Sequence, residues 1–200
     1  LQSDASQRMT KDIMNRAYIT PKRIVTKYAG CKNNLIKDEH YLLERGNGQS
    51  EMNRKKCCIM TSTETEKASL LLDFGSELHG GLKLVMGSSS RREPSLVRIR
   101  FGESVGEANS TTSNSEWKVG FSTDDHAKRD IVMEIPRDGM IEIGNTGFRF
   151  VRLDLLQNNA TISLKEISAI LRYRDIPYLG SFECNDQRLN KIWITGAYTV

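Results

Sequence analysis

From about residue 57 onward, apolar and polar side chains alternate with a period of two. Val97, Ile99 and Phe101 alternate with Arg98 and Arg100, while Leu82, Leu84 and Met86 alternate with Lys83 and Val85. Ile131, Met133 and Ile135 run into the turn sequence Pro136-Arg137-Asp138-Gly139, after which Ile141 and Ile143 resume the pattern. Such alternation marks strands with one face buried. Leu70 to Phe74 reads as a further strand, and Ile167, Ala169, Leu171 and Tyr173 close the series. Gly144-Asn145-Thr146-Gly147 predicts a turn before a strand over 148–155. In that strand Phe148 and Phe150 fall on one face, and Val151, Leu153 and Leu155 on the other. A bulge near residue 150 restores a single buried face, as does burial on both sides. About eight strands, with no helix-periodic segment between them, predict an all-β fold: an antiparallel, jelly-roll-like β-sandwich. Its core is expected to hold Val97, Ile99, Phe101, Phe148 and Phe150.

A different periodicity begins after Cys184. Asn185 or Asp186 is suited to cap a helix, and Leu189, Ile192, Trp193, Gly196 and Val200 then share one helical face. An apolar stripe with a Trp needs a surface to pack on, and the preceding residues read as strands. The expectation is a C-terminal helix that begins a further, α-helical domain missing from this chain. The first fifty-six residues are polar and irregular, with short apolar pieces such as Ile24-Val25 and Leu42-Leu43, and with Gly46-Asn47-Gly48 as a turn. The expected organisation is therefore an N-terminal extension over 1–56 that supplies some strands, a sandwich over 57–173, a linker over 174–184, and a helix over 185–200.

Charge narrows the partners. The net charge is +4, and it is uneven: residues 1–60 carry 12 Lys and Arg against 6 Asp and Glu. The one basic cluster, Arg54-Lys55-Lys56, has no interleaved aromatic residues, so a solvated face is expected there and no nucleic-acid partner. No run approaches the roughly 18 apolar residues of a membrane span. Leu1 to Ser6 lacks a basic-then-apolar leader, so a periplasmic or secreted location follows only if a signal peptide was removed. Cys57 and Cys58 are adjacent, Cys31 and Cys184 stand apart, and the three His residues make no ligand spacing. Neither a metal nor a cofactor is expected.

Several strings, in order, resemble a known family. Leu72-Asp73-Phe74-Gly75 with Leu78-His79-Gly80-Gly81, then Val97 to Glu103, then Thr146 to Arg152, are similar to strands of the β-sandwich domain of bacterial α-L-rhamnosidases, glycoside hydrolase family 78. Tyr178 to Asp186 with Ile192-Trp193 resembles the linker and first helix leading into that family's (α/α)6 catalytic barrel, and Tyr18-Ile19-Thr20-Pro21 also fits, in a Bacteroides-like form. The resemblance implies a non-catalytic N-terminal module of an enzyme acting on rhamnose-containing glycans, packed on a helical domain. Glycoside hydrolysis needs two carboxyl groups roughly 5–9.5 Å apart, and no matching motif lies in these residues. Asp73, Glu103, Glu107 and Glu142 read as turn, cap or cross-strand partners.

The long Ser/Thr-rich stretch from Asn109 to Asp125 is where binding is sought first, since loops beyond roughly 12–15 residues tend to be functional or disordered. Asp125, His126 and Arg129, with Trp117, are the candidate sugar-binding residues, because charged groups make strong hydrogen bonds to hydroxyls. A calcium ion on Asp124 and Asp125 is disfavoured by the absence of an alternating ligand series. A solvated turn with an Asp125–Arg129 pair is the plain alternative. A carbohydrate-binding module without hydrolase activity is the second functional reading, and it requires an aromatic platform from Trp117, Phe121 or Tyr178.

Overall fold

The computed structural model describes residues 14–50, 55–110, 129–174 and 177–199. Nine strands form: β1 (Asn15–Ile19), β2 (Arg23–Tyr28), β3 (Ile36–Lys37), β4 (Cys58–Ser62), β5 (Ser69–Ser89), β6 (Ser95–Gly102), β7 (Asp130–Ile135), β8 (Gly139–Leu155) and β9 (Ala160–Tyr173). Among the described residues two α-helices accompany them, α1 (Val105–Asn109) and α2 (Gln187–Thr199), with a 3-10 helix at Glu39–Leu43. The chain divides into two compact units, Asn15–Tyr173 and a second made of Leu1–Met14 with Arg174–Val200. The first is the antiparallel sandwich; β1, β2 and β3 from the polar N-terminal stretch belong to it.

Strand order is β3-β4-β9-β5-β8-β6-β7, with β1 added on β9 and β2 on β5, and every pairing is antiparallel. Two long strands build both layers. The start of β5 pairs with β2 and with Phe150–Asp154 of β8, and those strands continue through β6 to β7. Beyond Leu78, β5 pairs with Gly139–Phe148 of β8 on one side and with β9 on the other. Leu70, Leu72, Val97, Ile99, Val151 and Leu153 of the first layer meet Leu82, Leu84, Met86, Ile162, Leu164 and Ile167 of the second in one core. Phe148 lies where the layers meet, edge-on to Phe74 at 5.9 Å and to Phe101 at 4.9 Å between ring centres.

The fault in the 148–155 pattern is resolved by burial on both faces, with a register irregularity at Phe148–Phe150. Phe148 and Val151 both face the main core, and Phe150 does not. Phe150 is buried on the opposite side with Leu71, Ala108 and Val25, so the expectation of Phe150 in the main core is corrected. One register shift lies between Asp73 and Leu78 of β5, where the extra residues sit opposite Phe148–Phe150, and a second lies between Gly80 and Leu82. Likewise, 144–147 is not a turn between strands: β8 runs unbroken from Gly139 to Leu155. Here Gly144, at φ +92°, sits at a register shift of the β5–β8 pairing and does not end the strand. Gly80 and Gly81 are required for a second reason, close approach: a Cβ on Gly80 would lie 1.7 Å from the Ile170 carbonyl oxygen.

Between β6 and β7, α1 is a helix that the strand pattern did not predict. Ser104 caps it by accepting from the Glu107 amide at 3.2 Å, and the Glu107 carboxylate accepts from the Glu103 amide at 2.8 Å. Ser104-x-x-Glu107 is a capping-box spacing and was legible as such. In the other unit, Asp186 accepts from the Arg188 amide at 2.9 Å at the start of α2. Asn190 clamps Cys184, accepting from its amide at 2.9 Å and donating to its carbonyl at 2.8 Å. The Tyr178 hydroxyl donates to the Ala197 carbonyl, and its ring lies 6.3 Å from Trp193. The face of α2 that is covered is thus Asn190, Trp193 and Ala197, while Leu189 and Ile192 of the anticipated stripe are exposed. Val200 lies outside the described residues.

Candidate functional site

The outward face of the first layer carries an arginine cluster whose arrangement follows from strand register. One row across the sheet reads Tyr28, Ser69, Asp154, Arg98; the next reads Leu71, Arg152, Arg100, Asp130. Because core residues occupy alternate positions on each strand, these side chains all point away from the core. Arg100 and Arg152 stand directly opposite each other on β6 and β8. Like charges in that relation are unfavourable, and one carboxylate bridges them. Asp154 accepts from Arg152 Nε at 2.9 Å and from Arg100 Nη2 at 2.6 Å. Arg98 is held separately by Asp130, with Nε donating at 2.7 Å.

Asp154 is itself buried. Burial alone would raise its pKa, and it is the largest influence. The Ser69 and Arg152 hydrogen bonds and the Arg152 and Arg100 charges outweigh it, holding the carboxyl below the ordinary aspartate value. Arg100 also donates through Nη1 to the carbonyls of Asn109 and Ser110, fastening the end of α1. Its Nε–H is buried without a partner among the described residues, which costs about 1–3 kcal/mol.

Together with Lys67, Asn109 and Leu156, these groups line an open depression of about 400 Å³. Tyr28 forms one wall with its ring half exposed, its hydroxyl within 3.2 Å of Glu66 Oε1. The depression therefore offers guanidinium donors, one aromatic face and an aliphatic edge.

The residues singled out from the sequence are not gathered here. Trp117, Asp125, His126, Asp124 and Phe121 lie outside the described residues. Arg129 is described, and it pairs with Glu103 at 2.9 Å and Glu107 at 2.8 Å beside α1. Tyr178 belongs to the other unit. Among the carboxylates, Glu142 takes Arg16 and the Tyr18 hydroxyl. Asp73 receives both Arg149 bonds, at 2.8 and 2.9 Å, and the Arg23 bond at 3.0 Å. The Arg149 hydrogen bonds, ahead of the opposing effect of burial, hold its carboxyl well below the usual range. These pairs stitch strands together. Sequence reasoning took Arg98 and Arg100 only as the polar side of a strand; the third outward arginine, Arg152, was the available signal.

On the outward face of the second layer, Lys83 and Glu166 form a buried pair at 2.6 Å. The 46–50 segment covers it: the Gly48 amide donates to Glu166 at 3.0 Å, and Ser50 donates to the Met86 carbonyl at 2.6 Å. Among the described residues, no group of three His, Cys, Asp or Glu is placed to hold a metal ion, and no helix is long and apolar enough to cross a membrane.

No protein-family model matches the sequence, and no curated protein matches it. Solved structures do. The chain is similar to the rhamnosidase from Klebsiella oxytoca with rhamnose bound, at 15% identity and a TM-score of 0.61, over 94% of this chain and 35% of that one. It is also similar to the GH78 family rhamnosidase of Bacillus sp. GL1, at 18% identity and a TM-score of 0.50, over 69% of this chain and 13% of that one. At such identities the likeness is one of fold, and the chain spans a minor part of each of those proteins.

Proposed function

We propose that this chain is the non-catalytic β-sandwich module of an α-L-rhamnosidase-like glycoside hydrolase that acts on rhamnose-containing glycans. The observation that carries the reading is the fold likeness to the Klebsiella oxytoca rhamnosidase. Its 94% coverage exceeds the share of the chain that lies in Asn15–Tyr173. The family-like strings are a second, independent support. They fall on β5, β6, β8 and α2, the last with Leu189 and Ile192 exposed and available to a following helical domain. The carboxylates described above are consumed in ion pairs and caps, which suits a supporting module. Residues 1–200 should not hydrolyse an aryl α-L-rhamnoside, whereas a polypeptide continuing into a helical domain should, and should retain turnover when Asp154 or Asp73 is changed to Asn. Turnover by residues 1–200 that disappears with either substitution would sink the proposal.

A carbohydrate-binding module is the second reading, and one observation favours it: the depression beside Tyr28, which pairs an exposed aromatic ring with charged hydrogen-bonding groups. Isothermal titration with a panel of neutral and acidic methyl glycosides measures this directly. Absence of heat for every sugar at millimolar concentration, with the sandwich folded, would remove it.

A further inference from the structure

We infer that the depression on the outward face of the first layer takes a glycan unit bearing a carboxylate, gripped by Arg98 and Arg152 beside the Tyr28 ring. This rests on the carbohydrate-binding reading above and adds to it the charge of the ligand.

The lining contains four cationic side chains, Lys67, Arg98, Arg100 and Arg152, against one carboxylate, Asp154. Even with Asp130 assigned to Arg98 and Glu66 counted at the Tyr28 hydroxyl, positive charge remains in excess. Arg100 and Arg152 share the single carboxylate of Asp154 between them, so that carboxylate leaves one of the two guanidinium charges unbalanced.

The balance of donors and acceptors points the same way. Both Asp154 oxygens are engaged, Oδ1 by Arg152 and Oδ2 by Arg100. The side-chain oxygen of Asn109 accepts from Arg152 Nη1 at 2.8 Å. The Tyr28 hydroxyl is turned to Glu66 and the Ser69 hydroxyl to Asp154. Donor capacity among the described residues is left at Arg98 Nη1 and Arg152 Nη2. A neutral sugar presents hydroxyls that donate as well as accept, whereas the excess on this wall is of charged donors. An ionised carboxylate only accepts, and its planar pair of oxygens matches guanidinium forks. The Tyr28 ring and Leu156 give the sugar's C–H face a surface to cover.

The experiment titrates residues 1–200 at pH 7 with methyl β-D-glucuronide and methyl β-D-glucoside, which differ at C6, and with acetate and sulfate. The expected result is affinity for the glucuronide at least about tenfold above the glucoside, the worth of one charge-assisted hydrogen bond. That preference should fall with added salt. It should vanish in Arg152→Gln, and Tyr28→Ala should weaken glucuronide binding while leaving the fold intact by circular dichroism. Acetate or sulfate binding as tightly as the glucuronide would overturn the inference, since the site would then read charge without sugar. Equal binding of the two glycosides overturns it but leaves the carbohydrate-binding reading standing; binding of neither removes both. Should Arg152→Gln fail to fold, Arg98→Gln carries the same comparison.

Discussion

Phe148 is fully buried where the two long strands change layers, and its ring meets Phe74 and Phe101 edge-on. Phe148→Ala should cost about 3–5 kcal/mol, because the hole is lined by both layers and cannot close. Urea unfolding followed by circular dichroism reads this as a lowered midpoint with an unchanged slope. At Lys83 and Glu166 the physics is different. Both side chains are buried, and removing one charge leaves the other stranded. Lys83→Met should therefore destabilise by about 3–5 kcal/mol, while Lys83→Met with Glu166→Leu should recover most of the loss. A double variant no more stable than the single would show that Glu166 matters mainly through its Gly48 and Ser168 bonds.

At the scale of elements, β5 and β9 approach so closely at Gly80 that a methyl group there would overlap the Ile170 carbonyl. Gly80→Ala must shift the pairing, and overpacking of this kind costs about 1–3 kcal/mol or more. The check is amide exchange, which should accelerate along 78–86 and 164–171 while β6 and β7 stay protected. Helix α2 tests the opposite case. It is 13 residues long, covered on the Asn190, Trp193 and Ala197 face only. Helices of that length are marginal without packing, so its amides should exchange far faster than those of β5. Protection equal to the sandwich core would mean that Leu189 and Ile192 are covered in solution.

For the whole molecule, three buried carboxylates set the acid limit. Asp73, Asp154 and Glu166 are all held below their ordinary values: Asp73 first by its Arg149 bonds, and the other two by hydrogen bonds and cations that outweigh burial. A depressed carboxylate stabilises the folded chain fully above the unfolded-state value, about 3.9 for Asp and 4.3 for Glu. The contribution is lost as the pH falls through the lower folded value. Stability should thus be flat in these groups from pH 5 to 7 and decline below about pH 4. Asp73→Asn should lower stability at pH 7 and flatten that decline, since the titrating group is gone. Thermal melts across pH 2–7 would show both, and an unchanged acid slope would contradict the assignment of Asp73.

The alternation of Val97, Ile99 and Phe101 with arginines was enough to make β6 a half-buried strand, because period-two burial is a property of one strand alone. The same holds for the β7 to β8 turn at Pro136–Gly139 and for the cap of α2 at Asp186. Glycine-rich strings were ambiguous: whether Gly144 ends a strand depends on the partners across it, and β5 and β8 resume pairing beyond a register shift there, with Gly80 opposite Thr146 and Leu82 opposite Ile143. The candidate site was invisible for a related reason. Tyr28, Arg98, Arg100 and Arg152 lie on three strands, and each occupies a position that any outward-facing residue of a half-buried strand would occupy. Their meeting is set by the registers of β2, β5, β8 and β6, which the packed core fixes between the layers. The sequence by itself determined which face of each strand is polar; only the tertiary structure decided which polar faces share one depression.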